Sequence, residues 1–173
     1  MNSYDRCFPF FENACYRLQE IDFDQLTQPE KDVVCVFTMI AETNNGGLHQ
    51  FYINSSGDLA LETADAFERI GASRIAEIMR QTNTVFGRNG PPRNRSARCA
   101  EIFSLPIELQ DEKLGPLTQA FFNCEDDCYD LLYSYILAHR NEFFEPAEKK
   151  PWRARHWDLE WPKPKFVSFW DDG

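Results

Sequence analysis

Residues 27–47 read TQPEKDVVCVFTMIAETNNGG and predict a helix with a defined start and a defined end. Thr27 and Glu30 have the spacing of a capping box, in which each side chain accepts a backbone N–H of the first turn. Apolar residues then recur at helical spacing from Val33 to Ala41. Residues 44–47 predict the end of the helix, because Asn and Gly tolerate the left-handed backbone of a C-cap. We therefore expect an apolar helix followed by a tight corner.

The rest of the chain also shows helical spacing, and few segments alternate as strands do. Helices are predicted over 9–20, 48–54, 58–70, 72–83, 97–103, 114–123 and 125–139. The expected fold class is all-α, with a single compact multi-helix domain over residues 1–150. Residues 151–173 contain all four tryptophans and three prolines. We expect this segment to pack on the helical body, because tryptophan side chains are seldom left in water.

The charge of the chain favours a basic partner and argues against direct nucleic-acid binding. The formal charge is −10 and the sequence pI is about 4.8. A protein that binds nucleic acid needs a basic surface to displace counterions, whereas an acidic surface attracts basic partners. Residues 1–20 carry five charged side chains and form no signal peptide. We expect a cytoplasmic protein that makes no contact with a membrane.

The charges fall into blocks along the chain. Residues 1–87 carry a net −7 and residues 99–148 a net −9. Between them, residues 88–98 contain four arginines and no acid, and residues 149–165 carry a net +4. The sequence alone leaves the role of this arginine loop and of the basic tail open. Solubility is the plain explanation of the acidic blocks. Carboxylates in a regular row would instead indicate a binding surface.

Two groups of carboxylates have the spacing of a binding surface. Asp58, Glu62, Asp65 and Glu68 lie along one face of the predicted 58–70 helix. Successive members stand about 6 Å apart, comparable to the phosphates of a nucleic-acid strand. Only Arg69 offers neutralisation nearby in the sequence. Glu125, Asp126, Asp127 and Asp130 lie in the first turns of the predicted 125–139 helix, where the helix dipole also favours acid.

The cysteines and histidines indicate neither a metal site nor a disulfide framework. All six cysteines are expected to be reduced thiols that fill the core. Cys124, Cys128 and His139 could suggest zinc, but His139 lies three turns, roughly 16 Å, along the helix from Cys128, too far for common tetrahedral ligation. No phosphate-binding glycine loop or nucleophile elbow occurs in the sequence. We therefore expect no cofactor and no metal.

His49 offers an alternative, since a neutral imidazole beside glycines can act as a general base. Gln50 and Asn54 lie nearby, and this corner could belong to an enzyme or a small-molecule binder. No nucleophile or second acid accompanies it in the sequence. The plainer interpretation is that His49 and Gln50 satisfy backbone groups at a tight helix corner.

Residues 44–57, NNGGLHQFYINSSG, resemble the signature of a bacterial family of DNA-mimic proteins of about nineteen kilodaltons. Residues 64–72, ADAFERIGA, are also similar to that family's pattern. The resemblance implies an all-helical, cytoplasmic, homodimeric protein whose acidic surface imitates duplex DNA. It further implies that this surface occupies the DNA-binding face of a helix-turn-helix transcription factor and keeps it from its operator.

The leading hypothesis is therefore a non-enzymatic DNA mimic that binds a basic helix-turn-helix regulator through the two carboxylate groups. One alternative is an enzyme or small-molecule binder that uses the His49 corner. Another is an interaction module that is acidic for solubility and binds a partner through its tryptophan-rich tail.

Overall fold

The computed structural model describes residues 2–145 of the 173-residue chain. Within that part the structure contains seven α-helices and no strand, which confirms the predicted all-α class. The helices are α1 (Ser3–Arg17), α2 (Gln28–Ile53), α3 (Ala60–Arg69), α4 (Ser73–Asn83), α5 (Arg95–Phe103), α6 (Ile107–Phe122) and α7 (Cys128–Ala138). The predicted packing of residues 151–173 on the helical body lies outside the described residues.

Helix α2 is the centre of the fold. Every residue from Val33 to Ile40 is buried, as expected for a helix that is apolar on most of its faces. It packs against α1, α3, α5, α6 and α7. The predicted capping box between Thr27 and Glu30 is present at its start.

The Gly46–Gly47 pair interrupts α2: both residues have non-helical backbone angles, so the first helical segment ends here and a second one begins after a kink. Gly47 has a φ of 71°, a left-handed conformation that other residues rarely adopt. Thr118 of α6 fits into the bend: its Oγ1 accepts the backbone N–H of Leu48 at 3.2 Å. A Cβ on Gly47 would lie 3.1 Å from Thr118 Cγ2. The corner predicted at residues 44–47 is confirmed, and it positions α6 across α2.

Four predicted helices have clearly different limits in the structure. Helix α1 spans Ser3–Arg17, six residues earlier at its start than the predicted 9–20. Residues 55–59 form a 3₁₀ turn before α3, so the expected helix over 58–70 is shorter and Asp58 precedes it. Helix α6 begins at Ile107, well before the predicted 114, because Gly115 and Pro116 are accommodated inside it. Helix α7 begins at Cys128 and not at 125.

Two acidic residues of α2 are buried with cation partners. Asp32 is almost fully buried and receives Nε and Nη2 of Arg69 at 2.7–3.1 Å, together with the Tyr135 hydroxyl at 2.7 Å. Glu30 is equally buried and forms an ion pair with Arg17. The Asp32 network joins α2, α3 and α7. Arg69 is therefore occupied by Asp32 and does not neutralise the predicted carboxylate row.

Candidate protein-interaction surface

The arginine loop meets the first predicted carboxylate inside the protein. Arg98 is completely buried, and all five of its N–H donors are used. Its acceptors are the carbonyls of Tyr52, Asn54, Pro92 and Arg93, at 2.6–3.0 Å, and Asp58 Oδ1 at 2.7 Å. Burial raises the pKa of Asp58, and Arg98 opposes that rise. The expectation that Asp58 stands on an open helix face is wrong, because its charge is committed to Arg98.

Two more members of the predicted row are also paired with arginines. Glu62 forms an ion pair with Arg93 of the same loop, and its other carboxylate oxygen is buried without a partner among the described residues. Glu68 accepts the Ser73 hydroxyl at 2.9 Å and Nη1 of Arg80 at 3.0 Å, and these hydrogen bonds lower its pKa. The expected row of unpaired carboxylates is therefore wrong for three of its four members.

Asp65 is the member of the row that remains open. It lies exposed on α3, and no cation approaches it within ion-pair distance in residues 2–145. The arginines that neutralise its neighbours come from the 88–98 loop and from α4, which are distant in sequence. The sequence places these groups far apart, and the tertiary structure brings them together.

The second predicted cluster lies mostly before α7, not within its first turns. Glu125 is 90% exposed, and its nearest cation, Nη1 of Arg74, is 3.9 Å away. Asp127 caps the helix by accepting the Asp130 backbone N–H at 3.0 Å. Asp130 accepts the Ser3 hydroxyl, and Asp126 has a buried oxygen that finds no partner in the described part of the chain. Glu125, Asp127 and Asp130 are exposed and keep their charges available at the surface.

Acidic side chains greatly outnumber basic ones on the described surface. Sixteen acidic residues are exposed, against seven arginines and no lysine. The exposed acids are Asp5, Glu20, Asp22, Asp24, Asp65, Glu68, Glu77, Glu101, Glu108, Asp111, Glu112, Glu125, Asp127, Asp130, Glu142 and Glu145. The imbalance comes from the composition, because residues 2–145 contain 23 acidic and 12 basic residues, and positions that are not exposed remove seven acids and five cations from the surface.

Three exposed carboxylates on α6 escaped the sequence analysis. Glu108, Asp111 and Glu112 stand at i, i+3 and i+4, a spacing that places carboxylates side by side on a helix, as in the predicted 58–68 row. They were missed because the predicted helix began at residue 114, beyond all three. Glycine and proline at 115 and 116 masked the continuity of α6 in the sequence.

The His49 corner is packed, and within residues 2–145 no second acid or nucleophile is in contact with the ring. Nε2 of the half-buried His49 lies 3.1 Å from the amide oxygen of Gln110, and the ring lies against Phe103. Two surface depressions lie elsewhere: one beside Phe10 and Arg140, and an open one between α4 and α6. His49 is held by side chains of α5 and α6, whereas the plainer interpretation expected backbone partners.

Glu42 explains the polar residues of the corner. Gln50 Nε2 and Asn54 Nδ2 donate to the same Glu42 oxygen at 2.8 and 2.9 Å, and the Ser56 hydroxyl donates to the other at 3.4 Å. The Gln50 side chain passes so close to Gly46 that a Cβ there would lie 2.1 Å from its Oε1. Glu42 thus ties the two halves of the bent α2 to the following turn, which is a structural role.

The six cysteines are free thiols, four of them buried, as expected for core residues. Burial raises the pKa of Cys7, Cys15 and Cys128 to about 12, so these thiols stay protonated at neutral pH. Within residues 2–145, no group of three metal-ligating side chains converges. His139 Nδ1 is instead 2.7 Å from a carboxylate oxygen of Glu142. None of the helices in the same range is long and apolar enough to cross a bilayer.

Comparison with known proteins gives one match. A family model described as DMP19-like protein matches residues 24–139, about two thirds of the chain. The matched range includes α2 to α7, both carboxylate groups and the arginine loop. No curated protein and no solved structure matches the chain.

Proposed function

Because the chain belongs to the DMP19-like protein family, we propose that it is a non-enzymatic DNA mimic. Its acidic surface binds the DNA-binding face of a helix-turn-helix transcription factor and blocks binding to operator DNA. The resemblance of residues 44–57 to DNA-mimic proteins supports this proposal. The net charge of −10 also supports it, because an acidic protein attracts a partner that supplies positive charge.

The observation that carries the proposal is the excess of exposed carboxylates over exposed cations on the described surface. Sixteen exposed acids face seven exposed arginines. A DNA-binding face presents arginine and lysine at the positions of phosphates, and carboxylates on fixed helices can meet the same cations. Nine of the sixteen acids stand on α-helices, which hold their charges in place before binding, so little ordering of these groups is needed when the complex forms.

The carboxylates that can act in this way are the open ones. Of the predicted groups these are Asp65, Glu125, Asp127 and Asp130. Asp58 holds Arg98, and Glu62 and Glu68 are shared with arginines of the chain itself. Coulomb attraction between exposed groups is screened within about 8 Å at physiological salt, so affinity should fall steeply as salt rises.

A competition experiment tests the proposal. Labelled operator DNA is bound to each of a panel of helix-turn-helix regulators at low salt, and fluorescence anisotropy follows its release as this protein is added. We expect that at least one regulator releases its operator DNA, and that this release is lost at about 0.5 M salt. Unchanged operator binding across the panel counts decisively against mimicry.

Charge variants then identify the surface. Asp65→Asn with Glu125→Gln removes two open carboxylates of the predicted groups. Glu20→Gln with Asp24→Asn removes the same charge at other exposed positions and serves as the control. The first pair should weaken competition by roughly tenfold, about 0.7 kcal/mol per exposed charge, and the second pair should change it little.

The proposal includes a homodimer, which rests on the family resemblance alone. Light scattering on the purified protein measures its mass directly. A mass of about 40 kDa, twice the 20.2 kDa chain, is expected, and a mass near 20 kDa at micromolar concentration would exclude a stable dimer.

A further inference from the structure

The outward side of α6 has an unusual mixture of residues. This α6 outer face consists of Glu108, Asp111, Glu112, Gly115 and Phe122, which helical spacing places on one side, with Ile107 at its edge as the first residue of the helix. The inner side, with Gln110 and Leu114, packs against the rest of the protein. Ile107 is 68% exposed and Phe122 is 50% exposed. Large apolar side chains thus stand in solvent at both ends of the face, roughly 22 Å apart.

Gly115 lies at the centre of the same face, and both it and the following Pro116 disfavour a helix. Glycine and proline have the lowest helix propensities, and proline inside a helix also removes a hydrogen bond. A Cβ on Gly115 would meet no atom within 4 Å, and its φ does not require glycine. Nothing within residues 2–145 therefore explains why a side chain is absent there. Local rules are commonly broken where a protein binds something.

The face also carries negative charge without compensation. Glu108, Asp111 and Glu112 are exposed, and no arginine or lysine in residues 2–145 lies within ion-pair distance of them. Phe103, 60% exposed, precedes the face at the end of α5. The α6 outer face thus combines exposed apolar side chains at its two ends, a glycine at its centre and carboxylates beside them.

We propose that the α6 outer face docks a basic amphipathic helix, which crosses α6 at Gly115. Apolar side chains of that helix cover Ile107 and Phe122, and its arginines or lysines meet Glu108, Asp111 and Glu112. The missing side chain at residue 115 lets the two backbones approach closely, as small residues do at helix crossings. This inference rests on the proposed function, since the helix would belong to the DNA-binding regulator, and it names the surface on which the regulator binds.

Charge decides between a basic helix and a second copy of this chain. The α6 outer face contains no cation, so two such faces packed together would bury six carboxylates without a partner. Burying unpaired charge is strongly unfavourable. A basic helix removes that cost and gains ion pairs in a partly desolvated setting.

Gly115→Met tests the close approach. In the free protein this side chain enters open space and replaces a poor helix former with a good one, so the urea midpoint of unfolding should hold or rise. The probe is a synthetic amphipathic peptide of about 18 residues, with leucines on one stripe and Arg and Lys beside it, long enough to span the face. Binding measured by calorimetry should weaken about tenfold or more. A stabilised protein that binds less well is a result that a purely structural role for Gly115 does not predict.

Asp111→Asn with Glu112→Gln tests the charge, and Glu20→Gln with Asp24→Asn is the matched control. The first pair should weaken peptide binding several-fold at low salt, and the control should not. A scrambled peptide of identical composition should bind at least about tenfold more weakly than the amphipathic one, since only the latter offers an apolar stripe.

The inference would be overturned if the amphipathic peptide did not bind, or if Gly115→Met bound it as well as wild type does. Equal effects of the two charge pairs would also overturn it. So would a changed mass of the free Gly115→Met protein, because that result would indicate that a second copy of the chain occupies the face. Operator competition separates this inference from the function. A regulator that is displaced equally well by wild type and Gly115→Met leaves mimicry standing and removes α6 as its surface. If the peptide binds at α6 but the protein releases operator DNA from no regulator, the docking surface stands and mimicry is removed.

Discussion

Replacing Arg98 should cost this protein a large part of its stability, although the residue lies in the first turn of α5, directly after a polar loop. Arg98→Met keeps most of the side-chain volume and removes the guanidinium. Asp58 is then left half-buried without its cation, and four carbonyls lose their donor. Removing one partner of a buried ion pair costs about 3–5 kcal/mol, and we expect about 4 kcal/mol here because water can reach part of the site.

Urea unfolding followed by circular dichroism measures this loss. With a slope of about 2 kcal/mol per molar urea, the midpoint should fall by about 2 M. Asp58→Asn should also destabilise the protein, and the double variant should lose less than the sum of the two by about 1–3 kcal/mol, since the residues interact directly.

The pH dependence has a definite sign. Burial raises the pKa of Asp58 in the folded protein, so the folded state holds this proton more tightly than the unfolded state does. The contribution of the group therefore favours folding more as pH falls through the folded pKa. Without Arg98 the pKa should rise further, and Arg98→Met should be less destabilised near about pH 5 than near about pH 8. A loss under about 1 kcal/mol at every pH, or independent effects of the two residues, would refute the structural role of the pair.

Three other predictions follow from the same coordinates. Gly57→Ala should destabilise the fold by about 1–3 kcal/mol, measured by thermal unfolding, because the new Cβ would lie 2.7 Å from the buried guanidinium; an unchanged melting temperature would contradict this close fit. Iodoacetamide at neutral pH should label Cys99 and Cys124 first, as mass spectrometry of peptides would show, because burial raises the pKa of the four buried thiols; early labelling of the buried ones would contradict it. Hydrogen bonds from a serine and an arginine on α4 lower the pKa of Glu68, so its stabilisation is present above the unfolded pKa and is lost as pH falls through the folded one; Glu68→Gln should flatten that acid limb in urea unfolding, and an identical limb would show the pair to be inert.

The helices could be predicted from the sequence because their formation depends on residues that are close together in the chain. The capping box at Thr27, the apolar run of α2 and the corner at Gly46–Gly47 all appear in the structure as predicted. Each depends on neighbours within a few residues, through turn geometry and helical spacing. The start of α6 was misplaced because Gly115 and Pro116 predict a break that its packing against α2 overrides.

The carboxylate row failed for the opposite reason. Spacing put Asp58, Glu62 and Glu68 on one face, but the cations that pair with two of them lie 31 and 40 residues further along the chain. A sequence pattern predicts which acids share a helix face, but it does not predict which distant arginines pair with them in the folded protein. The same limit hid the buried Asp32–Arg69 pair, which removed the one cation expected beside the row.

The sequence by itself determined that this chain is all-helical, acidic and centred on one apolar helix with a glycine corner. These properties depend on composition and on contacts between near neighbours. Only the tertiary structure decided which charges are free to meet a partner: it buried Arg98 with Asp58, joined Arg93 to Glu62 and left Asp65 and the acids of α6 open. Pairing between distant residues is set by how helices pack, and a charge becomes available to a partner only when that packing leaves it without a neighbour of opposite sign.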